Sequence, residues 1–232
     1  MVLPLLLIFL HPQERFQRAA RRFLHGGLVV FRYWLILTKV IKIEISKEDK
    51  KRLCSAKSCI IAANHPSMID SILLISFLPC TDFIVKGSLS HRSVLSAIVN
   101  LVYIPNSMEY EHIIERTKKN FSLGGTIAIF PEGTRSTAFG QNRYKKGAAR
   151  LSLKTSAPIL GVYIGGNDKI GFRKGDKPWQ VNPEGAYRYR FFVHEMLFPD
   201  EFQNLSEPIA AKRYTARLRS LLSDEHNNVF CR

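Results

Sequence analysis

Two short polar segments hold the residue types best suited to chemistry. The first is Asn64-His65-Pro66-Ser67-Met68-Ile69-Asp70, which directly follows an apolar run. If the chain turns tightly at Pro66, a His just ahead of a helix and an Asp five residues on can face each other. An Asp that accepts the imidazole Nδ1–H fixes the tautomer and leaves Nε2 as a base for a hydroxyl or thiol. That is two-thirds of a hydrolase triad without a protein nucleophile. A substrate hydroxyl can fill the missing place, which turns hydrolysis into transfer. The same two residues also fit a capping His and an Asp stabilised by a helix N-terminus, so the spacing alone leaves both open.

The second segment is Phe130-Pro131-Glu132-Gly133-Thr134-Arg135-Ser136, again after an apolar run. A Gly in a loop at a strand end lets backbone N–H groups approach an anion closely. Arg135 suits bidentate contact with a phosphate. Glu132 suits a sugar or glycerol hydroxyl, or an orienting role toward the Arg. Downstream, Tyr144-Lys145-Lys146-Gly147-Ala148 opens a helix with cations and a Gly, again favourable for phosphate. The plainer reading is a polar loop closed by its own Glu–Arg pair.

The elements that must position these segments follow from periodicity. Short apolar runs at 58–63, 82–86, 101–104, 126–130 and 158–164 read as strands, and 187–194 alternates like an antiparallel or edge strand. Helical spacing covers 68–78, 89–99, 108–121, 147–155 and 208–222. This alternation predicts an α/β domain, a mixed, largely parallel sheet flanked by helices. Ligands in such sheets bind at the carboxyl ends of strands, where both polar segments lie.

The chain has 232 residues, enough for one large domain, and its 46% hydrophobic content supplies a core. The formal charge of +15 favours an anionic partner. It is concentrated: residues 1–45 carry +5 and residues 141–190 carry +8. Residues 13–24 repeat Arg and Phe/Ala at spacings of three and four, an amphipathic basic helix. It lies between apolar runs at 1–10 and 28–41, each too short or too interrupted to span a bilayer. The first run has no basic leader and no small-residue cleavage site, unlike a secretory signal. The expected division is therefore a membrane-associating helical segment over 1–45, an amphipathic helical pair, followed by a catalytic domain over 46–232. Arg side chains of the first segment would meet anionic lipid. Cys54, Cys59, Cys80 and Cys231 show no metal-ligand spacing, so no metal is expected. No helix-turn-helix, zinc finger or RNA-recognition signature supports nucleic acid as the partner, and no G-x-S-x-G supports a lipid hydrolase.

The two polar segments, in this order and register, resemble the motifs of the glycerophospholipid acyltransferase family, the PlsC-like or lysophosphatidic-acid-acyltransferase type. Asn64-His65-x-x-x-x-Asp70 is similar to its first motif and Phe130 to Ser136 to its third. Ala157-Pro158-Ile159-Leu160-Gly161-Val162 is similar to its apolar fourth, and Lys145-Lys146-Gly147-Ala148 to the stretch between. The resemblance implies that His65 is the general base toward an acceptor hydroxyl and that Asp70 supports it. It implies that Glu132, Gly133, Thr134 and Arg135, with Lys146, bind a phosphate-bearing lysophospholipid or glycerol-phosphate-like acceptor. The donor would be an acyl thioester of coenzyme A or acyl carrier protein, used as co-substrate with no further cofactor. The place would be the cytoplasmic face of a membrane. One departure stands out: the family's second motif puts an Arg after the strand near 101–104, where this chain reads Ile104-Pro105-Asn106-Ser107. That leaves open a non-glycerophosphate acceptor, such as an aryl-polyene lipid. A non-catalytic basic membrane- or nucleic-acid-binding protein is the alternative outside enzymes.

Overall fold

The computed structural model describes residues 13–85, 103–135, 142–165 and 185–230. The helix expected over 89–99, the apolar run 1–10 and much of the basic stretch 141–190 lie outside them. In chain order the elements are α1 (Gln13–Leu37), β1 (Ile41–Ile45), α2 (Lys47–Ser55), β2 (Ile60–Ala63), α3 (Asp70–Ile75), β3 (Thr81–Val85), β4 (Tyr103–Pro105), α4 (Tyr110–Ser122), β5 (Thr126–Ile129), α5 (Gly147–Thr155), β6 (Ile159–Gly165), β7 (Tyr187–Leu197) and α6 (Glu207–Phe230). The seven strands form one sheet in the order β1-β7-β6-β2-β5-β3-β4. All neighbouring pairs are parallel except β6 with β7. The expected α/β fold with a mixed, largely parallel sheet is what the chain forms.

Both faces of the sheet are covered, which is why its central strands read as unbroken apolar runs. Along β2 the pleat sends Ile61 and Ala63 to the side of α1 and α3, and Ile60 and Ala62 to the side of α4, α5 and α6. Phe83, Tyr189 and Phe191 fill the first layer. Ile127, Tyr163 and Tyr214 fill the second.

Two elements escaped the sequence reading. Strand β1 pairs in parallel with β7 from Ile41↔Tyr187 to Ile45↔Phe191, so residues 41–45 belong to the sheet and not to the N-terminal helical segment. Helix α2 is too charged to show an apolar stripe. Its signal was the cap: Asp49 N–H donates to Ser46 Oγ at 2.9 Å, while Ser46 Oγ–H donates to Asp49 Oδ2 at 2.8 Å.

Helix α1 also departs from expectation. It runs unbroken through Gly26 and Gly27, joining the two stretches read separately. It ends in a Schellman arrangement: Val40 N–H donates to Leu35 O and Lys39 N–H to Ile36 O, with Lys39 left-handed at φ 58°. Its buried side carries two cations. Arg22 of the expected basic stripe is exposed, but Arg21 and Arg32 are only 8% and 7% exposed, while Phe23 is 81% and Leu37 82% exposed. Arg21 makes a two-pronged ion pair with Asp82 of β3, both bonds 2.8 Å. Arg32 donates to Ser76 O and Oγ at 3.0 Å and lies 4.3 Å over the Phe77 ring. His25 Nδ1 is 2.7 Å from Ile75 O. Cations thus anchor the helix to the sheet and to α3, and its outer side is left apolar.

Candidate active site

Strands β2 and β5 are direct neighbours, paired from Ile60↔Ile127 to Ala62↔Ile129. Running parallel, they end at the same edge of the sheet, so the segments after them meet although 67 residues separate His65 from Glu132. Asn64 closes the end of β2. Its side chain donates to Ile164 O at 2.7 Å and accepts from Ile164 N–H at 2.6 Å, tying the strand end to β6. Pro66 lies in the turn after His65, ahead of α3, which starts at Asp70.

That turn produces the expected pair: His65 Nδ1 lies 2.9 Å from Asp70 Oδ2. Asp70 is fully buried and its remaining acceptor capacity is met by Ser67, whose N–H donates to Oδ2 at 2.7 Å and whose hydroxyl donates to Oδ1. A carboxylate held by three donors cannot rotate, so the imidazole orientation is fixed. The ring is also stacked on Phe130, centroids 4.0 Å apart and planes 12° from parallel. With Nδ1–H given to Asp70, Nε2 is the basic nitrogen of the neutral ring. Ser67 is itself fully buried and committed to Asp70, so it is no nucleophile.

Glu132 is 4% exposed. It accepts from His65 N–H at 3.2 Å and from the Asn142 side-chain amide at 3.4 Å, so it braces the two segments against each other. Among the described residues it makes no ion pair with Arg135, contrary to the closed Glu–Arg loop. Gly133 sits at φ 66°, a left-handed position that other residues adopt at a cost. Its N–H closes a turn onto Phe130 O at 2.9 Å. Thr134 is exposed and Arg135 half-buried at the same edge. Lys146 is the N-cap of α5, and its carbonyl accepts from Arg150 N–H at 2.9 Å. It is the preceding Lys145 whose side chain reaches the loop. Ser67, Asn64, Phe130, Asn142 and Lys145 had been given no individual role. Asn64, Ser67, Phe130 and Lys145 carried a signal, each lying inside a quoted motif, and Asn142 carried none.

Burial is the largest influence on Glu132 and pushes its carboxyl above the usual carboxylate range, opposed in part by the His65 N–H and Asn142. A carboxyl raised by folding binds its proton better folded than unfolded. Stability therefore falls as pH rises from the ordinary carboxylate value through the raised one. Glu132→Gln keeps the shape and removes this dependence. Its Tm is expected to match the wild type near about pH 4 and to exceed it near about pH 8. A Tm deficit of equal size at both pH values would contradict the buried-charge account.

A largely parallel sheet thus carries a fixed His–Asp pair and a glycine–arginine loop at one strand edge. Residues 42–165 match the family profile described as Acyltransferase, more than half of the chain, and the chain belongs to that acyltransferase family. It is an O-acyltransferase in class. Among its relatives, a Mycoplasma genitalium protein described as a probable 1-acyl-sn-glycerol-3-phosphate acyltransferase is 25% identical over 228 residues, covering 94% of this chain and 79% of that protein. A 1-acyl-sn-glycerol-3-phosphate acyltransferase of Limnanthes douglasii is 30% identical over 163 residues, 65% of this chain and 52% of that one. The chain spans about half the length of such plant relatives. The crystal structure of the 1-acyl-sn-glycerophosphate acyltransferase PlsC from Thermotoga maritima shares the fold, with a TM-score of 0.69 at 22% identity over 97% of this chain and 87% of that one.

Proposed function

We propose that the protein transfers a fatty acyl group from a coenzyme A or acyl-carrier-protein thioester to the free hydroxyl of 1-acylglycerol-3-phosphate at a membrane surface. The observation that carries this reading is the His65–Asp70 pair, with Ser67 consumed in holding Asp70 and the Glu132–Arg135 loop beside it. His65 Nε2 takes the proton of the acceptor hydroxyl as its oxygen attacks the thioester carbonyl carbon. The tetrahedral intermediate collapses, the carbon–sulfur bond breaks, and the proton held on Nε2 passes to the departing thiolate. The products are the diacyl ester and the free thiol. Asp70 keeps Nδ1–H throughout and compensates the charge that the ring gains in transit. The names of the relatives favour the glycerophosphate acceptor over a non-phosphorylated one. Radiolabelled acyl transfer from each donor to 1-acylglycerol-3-phosphate tests the reading. Release of free acid with no acylated product would replace it with hydrolysis.

No helix among the described residues is long and apolar enough to cross a membrane. Membrane contact is assigned instead to the outer face of α1. Phe23, Val30, Trp34 and Leu37 recur there at helical spacing, all more than half exposed. Trp34→Glu with Leu37→Glu should weaken co-sedimentation with anionic phospholipid vesicles about 10- to 100-fold. Equal sedimentation of variant and wild type would remove α1 from the interface.

A further inference from the structure

Helices α5 and α6 carry cations along one shared outer face. Two contacts and one electrostatic influence fix how they lie. Lys154 Nζ of α5 pairs with Glu207 Oε2 of α6 at 2.9 Å, and Ser152 Oγ lies 3.1 Å from Tyr214 Oη. Burial, joined by the Glu132 charge, pushes up the Tyr144 phenol just ahead of α5, and the Arg219 charge of α6 opposes it. The helices therefore run antiparallel, with Arg219 toward the start of α5. That start is tied to the loop after β5, where Lys145 N–H donates to Pro131 O at 2.7 Å. One end of the helix pair thus borders the site of His65. Arg143 and Arg150, and Lys212, Arg213 and Arg217 opposite them, are all exposed. Up to Ser223 the one acid on either helix is Glu207, already held by Lys154. On the other flank α4 turns Glu111 and Glu115 to solvent, which bounds the cationic face to α5 and α6.

Two observations select the occupant. Among the described side chains of these helices, Ile209, at the far end, is the one large apolar residue that is exposed, so the face has nothing to insert among acyl chains. Helix α1 packs on the opposite face of the sheet, so the lipid-facing side assigned to it points away from α5 and α6. A flat bilayer cannot meet both. The charges are also spread too widely for one phosphate. Arg213 and Arg217 stand about 6 Å apart along α6, and packed helix axes are about 8–10 Å apart. That spread matches several carboxylates on the surface of a protein.

We propose that the outer face of α5 and α6 docks an acidic acyl carrier protein, the soluble partner that brings the acyl thioester to His65. This rests on the acyl-transfer reading above and selects the donor within it. Complementary charge steers such a partner and fixes its orientation. A carrier seated there lies at the sheet edge that holds His65, so its thioester arm need not cross the molecule.

The test compares wild type with a face variant, Arg150→Glu, Arg213→Glu and Arg217→Glu together. The control makes the same charge change at exposed positions of α2, Lys47→Glu, Lys50→Glu and Lys51→Glu together. Each is assayed with 1-acylglycerol-3-phosphate and either palmitoyl-acyl carrier protein or palmitoyl-CoA. Binding of holo-acyl carrier protein is measured by calorimetry at low and high salt, and thermal unfolding checks that each protein is folded. The face variant should raise KM for the carrier-protein thioester about 10- to 100-fold. Its KM for the coenzyme A thioester and its turnover should stay within a few-fold of wild type. The α2 control should match wild type on both donors, and wild-type binding should weaken as salt rises. Should the triple reversal fail to fold, Arg150→Gln with Arg217→Gln should show a smaller loss in the same direction. An unchanged KM for the carrier-protein thioester overturns the proposal. An equal rise on both donors does so too, because the face then serves the phosphates of coenzyme A. An equal loss in the α2 control also overturns it, since bulk charge alone would explain the effect. If the face variant keeps carrier-protein binding but loses co-sedimentation with phosphatidylglycerol vesicles, the face belongs to the membrane and the proposal falls. If the wild type transfers from neither donor, the acyl-transfer reading fails and the calorimetry decides this one. Carrier-protein binding lost in the face variant and kept in the α2 control upholds docking, and no binding by the wild type overturns it.

Discussion

His65→Ala is expected to lower acyl transfer by about 10²- to 10⁴-fold while the chain still folds. The size follows from what the imidazole alone supplies. Among the described residues no other basic group shares its position: Asp70 is fully buried and closed off by Ser67, and Glu132 is turned onto the His65 main chain. Alanine keeps the His65 N–H that donates to Glu132, so the brace between the two segments survives the substitution. The lost contacts are the Phe130 stack and one hydrogen bond to Asp70, together about 1–3 kcal/mol of stability. The check is a transfer assay paired with thermal unfolding of the same preparation. Turnover within a few-fold of wild type, in a folded variant, would remove His65 as the base.

The largest stability effect is expected at Asp82. Its carboxylate is wholly buried at the start of β3, gripped by Arg21 from α1 at 2.8 Å and approached by Arg116 Nε at 3.6 Å. Asp82→Asn leaves the buried Arg21 guanidinium without its counter-charge, a loss of about 3–5 kcal/mol. Replacing both partners, Arg21→Met with Asp82→Leu, should recover most of that loss, since two buried charges also carry a desolvation cost. Urea unfolding of the three proteins measures both numbers. A single variant within about 1 kcal/mol of wild type would mean that the pair is solvated and not a buried anchor. The consequence reaches the site. Arg32 and His25 hold α1 to Ser76 and Ile75 at the end of α3, the helix whose first residue is Asp70. Undocking α1 is therefore expected to loosen the support of Asp70 and of the His65 it holds.

Much of the architecture was legible in the chain because its cause is local. The run 126–130 had to be a strand buried on both faces, and 147–155 was read to its observed ends because Gly147 and Thr155 bound one amphipathic stretch. The His65–Asp70 pair was legible for the same reason: five residues and one turn bring it together. What misled was also local. The Arg repeat of α1 resembles a solvated or lipid-facing stripe. Nothing within the helix reveals that Asp82, 61 residues beyond Arg21, is waiting inside.

By itself, then, the sequence determined the α/β class, the strands that carry the two polar segments, and the pairing of His65 with Asp70. The tertiary structure alone decided which segments share an edge, because the neighbouring of β2 and β5 is a matter of sheet order. It alone set Glu132 against the His65 N–H and laid the Lys145 side chain beside Gly133. It alone buried Arg21 and Arg32 of α1 and left Phe23 and Leu37 outside. The physical reason is common to Glu132 and α1. A charged side chain takes its place according to the counter-charge or donor it meets across the fold, and that partner is supplied by chain far away in sequence.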